Sequence, residues 1–449
     1  MSEQKAKEPS YYQGLNTWLL RSVPDSARLI VEVGCAEGRL GAALKRDRPD
    51  RRVLGVEREA APASAAATRL DGVFQIDIET DAPPIPDGTV DCLLFGDVLE
   101  HLRNPLAAIR RMVRLLRPDG VVLCCVPNVQ HYSVVTALLR GEFQYQPLGI
   151  MDETHLRFFT YSSFAKLLFD AGLDPDIVDR VPSPPPLEVM AALGPALAQV
   201  GADPALAQVF LGSYQYIFRA QKLAWEEAAG AEEPLSFVAC VNDEAVVRDN
   251  LLSSPCLQQG TPHEVIQVRG ATSAAQAFAA GLERAAHPVV VLLHQDVYLP
   301  AGWPRRFLSQ WRLAEERLGR IGVAGVYGAR FQAGAQGQVQ RAGHIFDRYR
   351  RLRIGNLPEL VDTLDEVVLA FPKDTPLRLD PALGFHNYGS DAGCAARRMG
   401  LRVAVLDAPC VHNSSLGRAL PAAFYASQLH LREKWQADLP IATNCGLVA

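Results

Sequence analysis

The sequence predicts two α/β domains in one chain, on three observations. Short apolar runs alternate with helical patterns through the first half. Two segments open alike, one at Leu29 (LIVEVG) and one at Leu235 (LSFVACVND), each an apolar strand followed by a turn and a helical pattern. Between them lies Trp225–Pro234, acidic, rich in small residues and without apolar periodicity, which reads as a linker. The expected boundaries are 1–223 for the first domain, 224–234 for the linker and 235–449 for the second domain.

Each element has its own justification. Strands are expected at Leu29–Val33, Arg52–Val56, Gly72–Ile76, Val90–Phe95 and Val121–Val126, where apolar residues run together over strand length. The pattern at Leu106–Leu116 is helical, and the Pro-rich stretch Pro182–Pro186 reads as a loop inside the first domain. Such alternation predicts a parallel sheet with helices on both faces. In the second half, strands are expected at Leu235–Cys240, Glu264–Val268 and Val289–Leu293, and helices at Ser273–Ala286 and Ala392–Met399. Ligands of such sheets sit beyond the strand C-terminal ends, so the residues just after each strand are the candidates for function.

Composition narrows the class. Of 449 residues, 48% are hydrophobic and 21% charged, which suits large buried cores. A net charge of -5 argues against nucleic acid and anionic membranes as partners. The polar N-terminus lacks the apolar stretch of a secretion signal, and no apolar run reaches the roughly 18 residues of a membrane span. Nine scattered cysteines without a CxxC pair fit free thiols in a reducing compartment, so a cytoplasmic location is expected.

The first candidate site is the run Val31-Glu32-Val33-Gly34-Cys35-Ala36-Glu37-Gly38, which ends a strand and opens a helix. Its small residues let backbone approach a ligand. The dinucleotide pattern G-x-G-x-x-G fails at Ala36 and Arg39, which disfavours a nicotinamide oxidoreductase. The spacing acidic-x-G-x-G-x-G maps onto Glu32, Gly34, Ala36 and Gly38 with one Ala for Gly. Glu57 ends the second strand, where a ribose-binding acid belongs. Asp77 and Ile78 follow the third strand, where a carboxylate would accept from an adenine amino group. Asp97 follows the fourth; with Glu100 three residues on, it also reads as a capping box.

These residues carry a resemblance. Glu32-Val-Gly-Cys-Ala-Glu-Gly38, Asp97-Val-Leu-Glu-His-Leu102, Leu116-Arg-Pro-Asp-Gly120, Pro127-Asn128 and Asp152-Glu-Thr-His-Leu-Arg-Phe-Phe-Thr160 resemble class I methyltransferases of the kind that includes ubiquinone-type O-methyltransferases. The resemblance covers about Leu29 to Leu173. It implies a Rossmann-like seven-stranded sheet with Tyr214–Arg219 as closing strand, and S-adenosylmethionine as methyl donor. An oxygen acceptor needs a proton removed, for which His101 and His155 are candidates. For His101 the reading as a packed helix histidine is preferred, whereas His155 reads equally as a base and as a residue that orders its loop.

In the second half, Asp296 stands at the end of an apolar strand, where nothing in a sheet core would offset its burial. A divalent ion bridging it to a diphosphate is the natural partner. His294-Gln-Asp-Val297, Gly325-Val-Tyr-Gly328, Asp362-Thr-Leu-Asp-Glu366, Gly384-Phe-His-Asn-Tyr-Gly-Ser-Asp391 and Val411-His412-Asn-Ser414 resemble GT-A glycosyltransferases of the family 2 type, closest to the streptomycin-biosynthesis subgroup. The resemblance implies that Asp296 and His412 ligate Mn2+ or Mg2+ and that Asp391 is the acceptor base. Asp391 and Ser390 also read as caps of the helix that follows. The sequence departs from the pattern where paired aspartates become His294-Gln295-Asp296 and where Arg269 replaces an acidic residue.

Together these readings describe a bifunctional transferase of polysaccharide or natural-product glycan biosynthesis. It would methylate one acceptor and transfer a sugar from a nucleotide-diphosphate sugar to a saccharide or small-molecule acceptor. The alternative is a methyltransferase carrying an inactive sugar-nucleotide or glycan-binding module.

Overall fold

The computed structural model describes residues 14–199, 202–223, 233–333, 338–347, 350–413 and 420–449. The chain divides into two compact units, Met1–Ala224 and Trp225–Ala449. Of the expected linker, only Glu233 and Pro234 lie among the described residues.

The first unit runs α1 (Thr17–Ser22), β1 (Leu29–Val33), α2 (Arg39–Asp47), β2 (Arg52–Glu57), α3 (Ala60–Ala66), β3 (Gly72–Gln75), β4 (Val90–Gly96), α4 (Pro105–Val113), β5 (Leu116–Pro127), α5 (Tyr132–Leu139), α6 (Tyr161–Asp170), β6 (Leu173–Pro182), α7 (Leu187–Gln199), α8 (Pro204–Leu211) and β7 (Ser213–Lys222). Its seven strands lie in the order β3-β2-β1-β4-β5-β7-β6. The first five are parallel, and β7 is antiparallel to both β5 and β6. The strand at Tyr214–Arg219 is therefore flanked on both sides, and β6 forms the edge. The central strands are apolar apart from Glu32 in β1 and Asp91 in β4, because both sheet faces are covered. The helix expected to reach Leu116 stops at Val113, since Leu116 already pairs with Val90 as β5 begins.

The second unit runs β8 (Ser236–Val241), α9 (Glu244–Asp249), β9 (Glu264–Arg269), α10 (Ala274–Arg284), β10 (Val289–Leu293), β11 (Val297–Tyr298), α11 (Trp303–Leu318), β12 (Ile321–Gly325), β13 (Tyr327–Gln332), β14 (Gln338–Asp347), β15 (Arg350–Ile354), β16 (Glu359–Leu360), β17 (Thr363–Leu364), β18 (Val368–Pro372), α12 (Tyr388–Arg398), β19 (Arg402–Val405), β20 (Val411–His412), α13 (Ala422–Lys434), β21 (Ile441–Thr443) and β22 (Gly446–Val448). The main sheet, β16-β19-β12-β18-β10-β8-β9, is mixed: β8, β9 and β10 are mutually parallel, while β18 runs antiparallel between β10 and β12. A second sheet, β11-β20-β14-β13-β17, brings β20 beside β11 with His412 opposite Val297. Buried apolar residues on the two faces of the main sheet form separate cores, one around Phe278 and Phe371 and one around Phe237, Trp303 and Phe307. α12 starts at Tyr388 after Asn387, whose φ is +59° and whose side chain makes no cap bond. Asp391 and Ser390 thus lie inside the helix, and neither caps it.

Candidate functional sites

At the C-terminal ends of β1–β5 the first unit opens a crevice of about 750 Å³. β1 ends in the left-handed turn of Gly34 (φ +65°), and Gly34 and Cys35 both donate to the Val56 carbonyl. A Cβ on Gly34 would lie 2.4 Å from Val98 Cγ2, so the turn packs against the segment after β4. Gly38 (φ +75°) opens α2, but a Cβ there would meet Leu70 and Ala66 on the α3 side. Its hydrogen serves helix packing, and it does not line the crevice.

Three acids shape the crevice. Glu57 accepts from Ala36 N through Oε2 and from Glu59 N through Oε1, both at 2.9 Å. Two of the four carboxylate lone pairs are thereby used. Glu32 is buried, accepts from Gly41 N at 3.0 Å, and is pushed up to about 8 by burial, with the nearby Glu57 charge adding to it. Asp77 accepts from Glu79 N at 2.8 Å and lines the crevice with Ile78.

Asp97 departs from the expected capping box. Its backbone is left-handed (φ +55°), and the short 3-10 turn Leu99–His101 that follows has no side-chain cap. Gln215 on β7 donates to Asp97 Oδ1 at 2.5 Å, and Asn16 reaches Oδ2 at 3.5 Å. Burial raises Asp97 to about 6 despite these donors. The cap of α4 is Asn104, which accepts from Ala107 N.

Beyond Asp97 the crevice is lined by Glu100, His101, Asp152, Thr154 and His155. The two segments are tied together because Leu156 N and Arg157 N both donate to the Glu100 carbonyl, at 2.8 and 3.0 Å. Of the site residues expected from the sequence, Glu32, Gly34, Ala36, Glu57, Asp77, Ile78, Asp97 and His155 all face this one crevice.

In the second unit, β10 ends at His294-Gln295-Asp296, and the β11–β20 pairing sets His412 beside Asp296. One ligand atom from each of His294, Asp296 and His412 falls within 4.8 Å of the others. His412 Nε2 is 3.5 Å from Asp296 Oδ1, and its Nδ1 is 3.2 Å from Asp347 Oδ1. Burial opposes a charge on His412, but Asp296 and Asp347 outweigh it and raise the imidazole to about 10. Burial and the His412 charge hold His294 below its ordinary value. Gln295 pins the end of β8, donating to Asn242 Oδ1 at 2.5 Å while accepting from Asn242 N at 3.0 Å and Asp243 N at 3.1 Å. Arg269 forms a two-pronged pair with Glu244, at 2.6 and 3.0 Å, on the rim of a cavity that Asn242 and Phe385 also line.

Asp391 does not belong to that cluster. It is fully buried, and its Oδ1 takes Trp435 Nε1 and Lys434 Nζ, each at 2.7 Å, whereas its Oδ2 has no hydrogen-bond partner. Glu366, which sequence reasoning left without a role, is linked to the cluster through its backbone: Tyr388 OH donates to its main-chain carbonyl at 3.2 Å and meets His294 Nε2 at 3.1 Å. Burial and Asp365 raise its carboxyl to about 8. Its position after a two-residue strand gave no periodic signal. Ser414, the last residue of the quoted motif, lies outside the described residues.

A parallel sheet with a glycine turn after its first strand and an acid after its second defines a nucleotide- or cofactor-binding α/β domain. Comparison gives the particular kinds. A methyltransferase domain model matches residues 11–176, and a model described as a glycosyltransferase like family matches residues 236–426. The chain thus carries a methyltransferase domain followed by a glycosyltransferase-like domain. The ubiquinone biosynthesis O-methyltransferase of Dechloromonas aromatica is 26% identical over 35% of this chain and 70% of its own length. A probable S-adenosylmethionine-dependent methyltransferase of Mycolicibacterium smegmatis is 34% identical over 23% of this chain and 39% of its own length. Among solved structures, a SAM-dependent methyltransferase from Archaeoglobus fulgidus aligns at 14% identity and a TM-score of 0.34, covering 47% of this chain and 97% of that one. Among the described residues, no helix is long and apolar enough to cross a membrane.

Proposed function

We propose that the chain is a bifunctional transferase: an S-adenosylmethionine-dependent O-methyltransferase joined to a glycosyltransferase that uses a nucleotide-diphosphate sugar. The observation that carries the first half is the Glu57 carboxylate. Ala36 N and Glu59 N hold it at the mouth of the glycine turn, with two lone pairs left for a ribose diol. Asp77, Glu32 and Asp97 line the same crevice; in this reading Asp77 would accept from an adenine amino group, and Glu32 and Asp97 would flank the amino-acid end. The sulfonium of the cofactor is an activated electrophile, so holding the acceptor in line supplies most of the rate. The acceptor O–H gives up its proton to a base or to solvent. When bound, the cofactor would supply the methyl carbon to the oxygen lone pair and leave with the C–S electrons as a neutral thioether. An oxygen acceptor is supported by the O-methyltransferase named among the relatives.

For the second half, the His294, Asp296 and His412 donor set fits a divalent ion: one carboxylate and two imidazoles converge at a strand end, beside a cavity at the β8 and β9 ends. Asp296 and His412 would hold Mn2+ or Mg2+, which neutralises a leaving diphosphate. Asp391 would take the acceptor proton through Oδ2, with Lys434 and Trp435 keeping its other oxygen occupied. Thermal-shift and turnover assays with S-adenosylmethionine, and separately with nucleotide sugars plus Mn2+, test both halves. Nucleotide-sugar binding without turnover would make the second domain a binding module. Sugar transfer by Asp391→Asn at the parent rate, in a variant that melts like the parent, would remove Asp391 from the mechanism.

A further inference from the structure

We propose that Tyr388 and Asp347 are positioning residues that turn His294 and His412 into two nitrogen ligands beside Asp296, so that this centre selects a d-block ion such as Zn2+ or Co2+ over Mg2+. This rests on reading the three residues as a metal centre, and it narrows the ion that such a centre takes. Asp296 Oδ1 is shut off from solvent and has no hydrogen-bond partner. His412 Nε2 lies 3.5 Å from that oxygen and His294 Nδ1 3.9 Å. Ligand bonds of about 2.0–2.2 Å put donor atoms roughly 3–4 Å apart, so the set is already near the size that holds an ion.

The nitrogen that each ring turns towards Asp296 is fixed from behind. Tyr388 is buried at the start of α12. Its hydroxyl carries one proton, which goes to the Glu366 carbonyl at 3.2 Å, since a carbonyl only accepts. The phenol oxygen therefore accepts from His294 Nε2, 3.1 Å away. The ring proton of His294 is held on that side, and Nδ1 keeps its lone pair towards Asp296. Asp347 plays the same part for His412. It sits opposite His412 in the β14–β20 pairing, and its Oδ1 takes the Nδ1 proton at 3.2 Å. His412 Nε2 is left facing Asp296, and an entering ion displaces the proton carried there. A hydrogen-bond partner on the second ring nitrogen is what orients ligating histidines at metal centres.

The backbone holds the same frame. His294 N donates to the Val367 carbonyl at 3.2 Å, and Asn413 N to the Asp296 carbonyl at 2.9 Å. The Gln295 side chain is spent on Asn242, which leaves two imidazoles and one carboxylate as donors. Mg2+ takes oxygen ligands and keeps several waters, whereas imidazole suits d-block ions. At a given nitrogen and oxygen site, affinity rises from Mn2+ through Co2+ towards Zn2+. Because both rings are oriented in advance, the ion should bind without a nucleotide.

The experiment uses the full-length, tag-free chain stripped by chelator, with no nucleotide present. Zn2+, Mn2+ and Mg2+ are titrated by calorimetry, and Co2+ is followed by its visible absorption, which responds to nitrogen ligands. Asp296→Ala identifies the equivalent that belongs to this centre. The expected result is one Asp296-dependent equivalent of Zn2+, with Mn2+ weaker and Mg2+ weakest. Tyr388→Phe and Asp347→Ala should each weaken Zn2+ binding roughly 10- to 100-fold and alter the Co2+ spectrum. Asp347→Asn should restore most of what Asp347→Ala loses, because its amide oxygen still accepts from Nδ1. Mg2+ binding as tight as Zn2+ overturns the proposal and leaves the metal centre standing. So does retention of the parent's Zn2+ affinity and Co2+ spectrum by Tyr388→Phe and Asp347→Ala, in whichever of them melts like the parent. If no ion binds in an Asp296-dependent way, the metal-centre reading itself has failed and the proposal falls with it.

Discussion

Glu57→Gln is the sharpest probe of the first domain. In the folded protein each Glu57 oxygen accepts one backbone N–H at 2.9 Å, from Ala36 and Glu59. A glutamine keeps the shape but presents an NH2 where one of those donors points, and it removes the charge. The lone pairs aimed at the crevice lose the same charge, so a ribose diol would meet a weaker acceptor on one oxygen and a donor on the other. A hydrogen bond to a charged group contributes about 1.5–3 kcal/mol. Losing one such bond to the cofactor corresponds to a roughly 10- to 150-fold weaker affinity. Calorimetry with S-adenosylhomocysteine at 25 °C measures this directly. A thermal melt of the free variant separates any loosening of the Gly34–Leu40 turn. An affinity within about twofold of the parent, in a variant that melts normally, would refute the placement of the ribose on Glu57.

Other perturbations follow from the same geometry. Gly34→Ala forces a Cβ to 2.4 Å from Val98 Cγ2 at φ +65° and should cost about 1–3 kcal/mol, read as a lower urea midpoint. Asp296→Ala should abolish Mn2+-dependent turnover of nucleotide sugar while leaving S-adenosylhomocysteine affinity at the parent value. Asp407 is held down to about 2: burial pushes it up, but His344 at 2.7 Å and Arg306 at 2.8 Å outweigh that. Its folded value lies below the unfolded one near 3.8, so its contribution is present above pH 3.8 and is lost as pH falls through about 2. Asp407→Asn should cost roughly 2 kcal/mol at neutral pH and flatten the acid limb of stability against pH, measured by urea unfolding between pH 2 and 7.

What the sequence revealed, and what it hid, has physical reasons. β1, β2, β4 and the core of β5 were readable because strands covered on both faces are continuous apolar runs. The edge strand β6 was not, because Leu173-Asp-Pro-Asp-Ile-Val-Asp breaks its apolar residues with three aspartates and a proline along a sheet margin. Glu57, Asp77 and Asp97 could be picked out by their places after successive strands, and the folded chain sets all three on one crevice. The conformation of Asp97 could not be read, since a left-handed aspartate is held there by Gln215, 118 residues away. The Lys434 and Trp435 partners of Asp391 were equally invisible: they arrive at and just past the C-terminal end of α13, more than 40 residues on. The carbonyls behind His101 and His155 leave no trace in side-chain identity at all.

The insertion of β7 between β5 and β6 has a bearing on synthesis. A ribosome that has released residues up to 176 has supplied the glycine turn and all five parallel strands, yet β5 still presents Val121–Val126 as a bare margin. An unpaired apolar strand is a template for self-association until its neighbour emerges. That neighbour is also the strand that carries Gln215 to Asp97. Maturation of the cofactor pocket and protection of the sheet therefore happen in one late step, and a fragment trimmed to residues 11–176 should aggregate before it could be assayed.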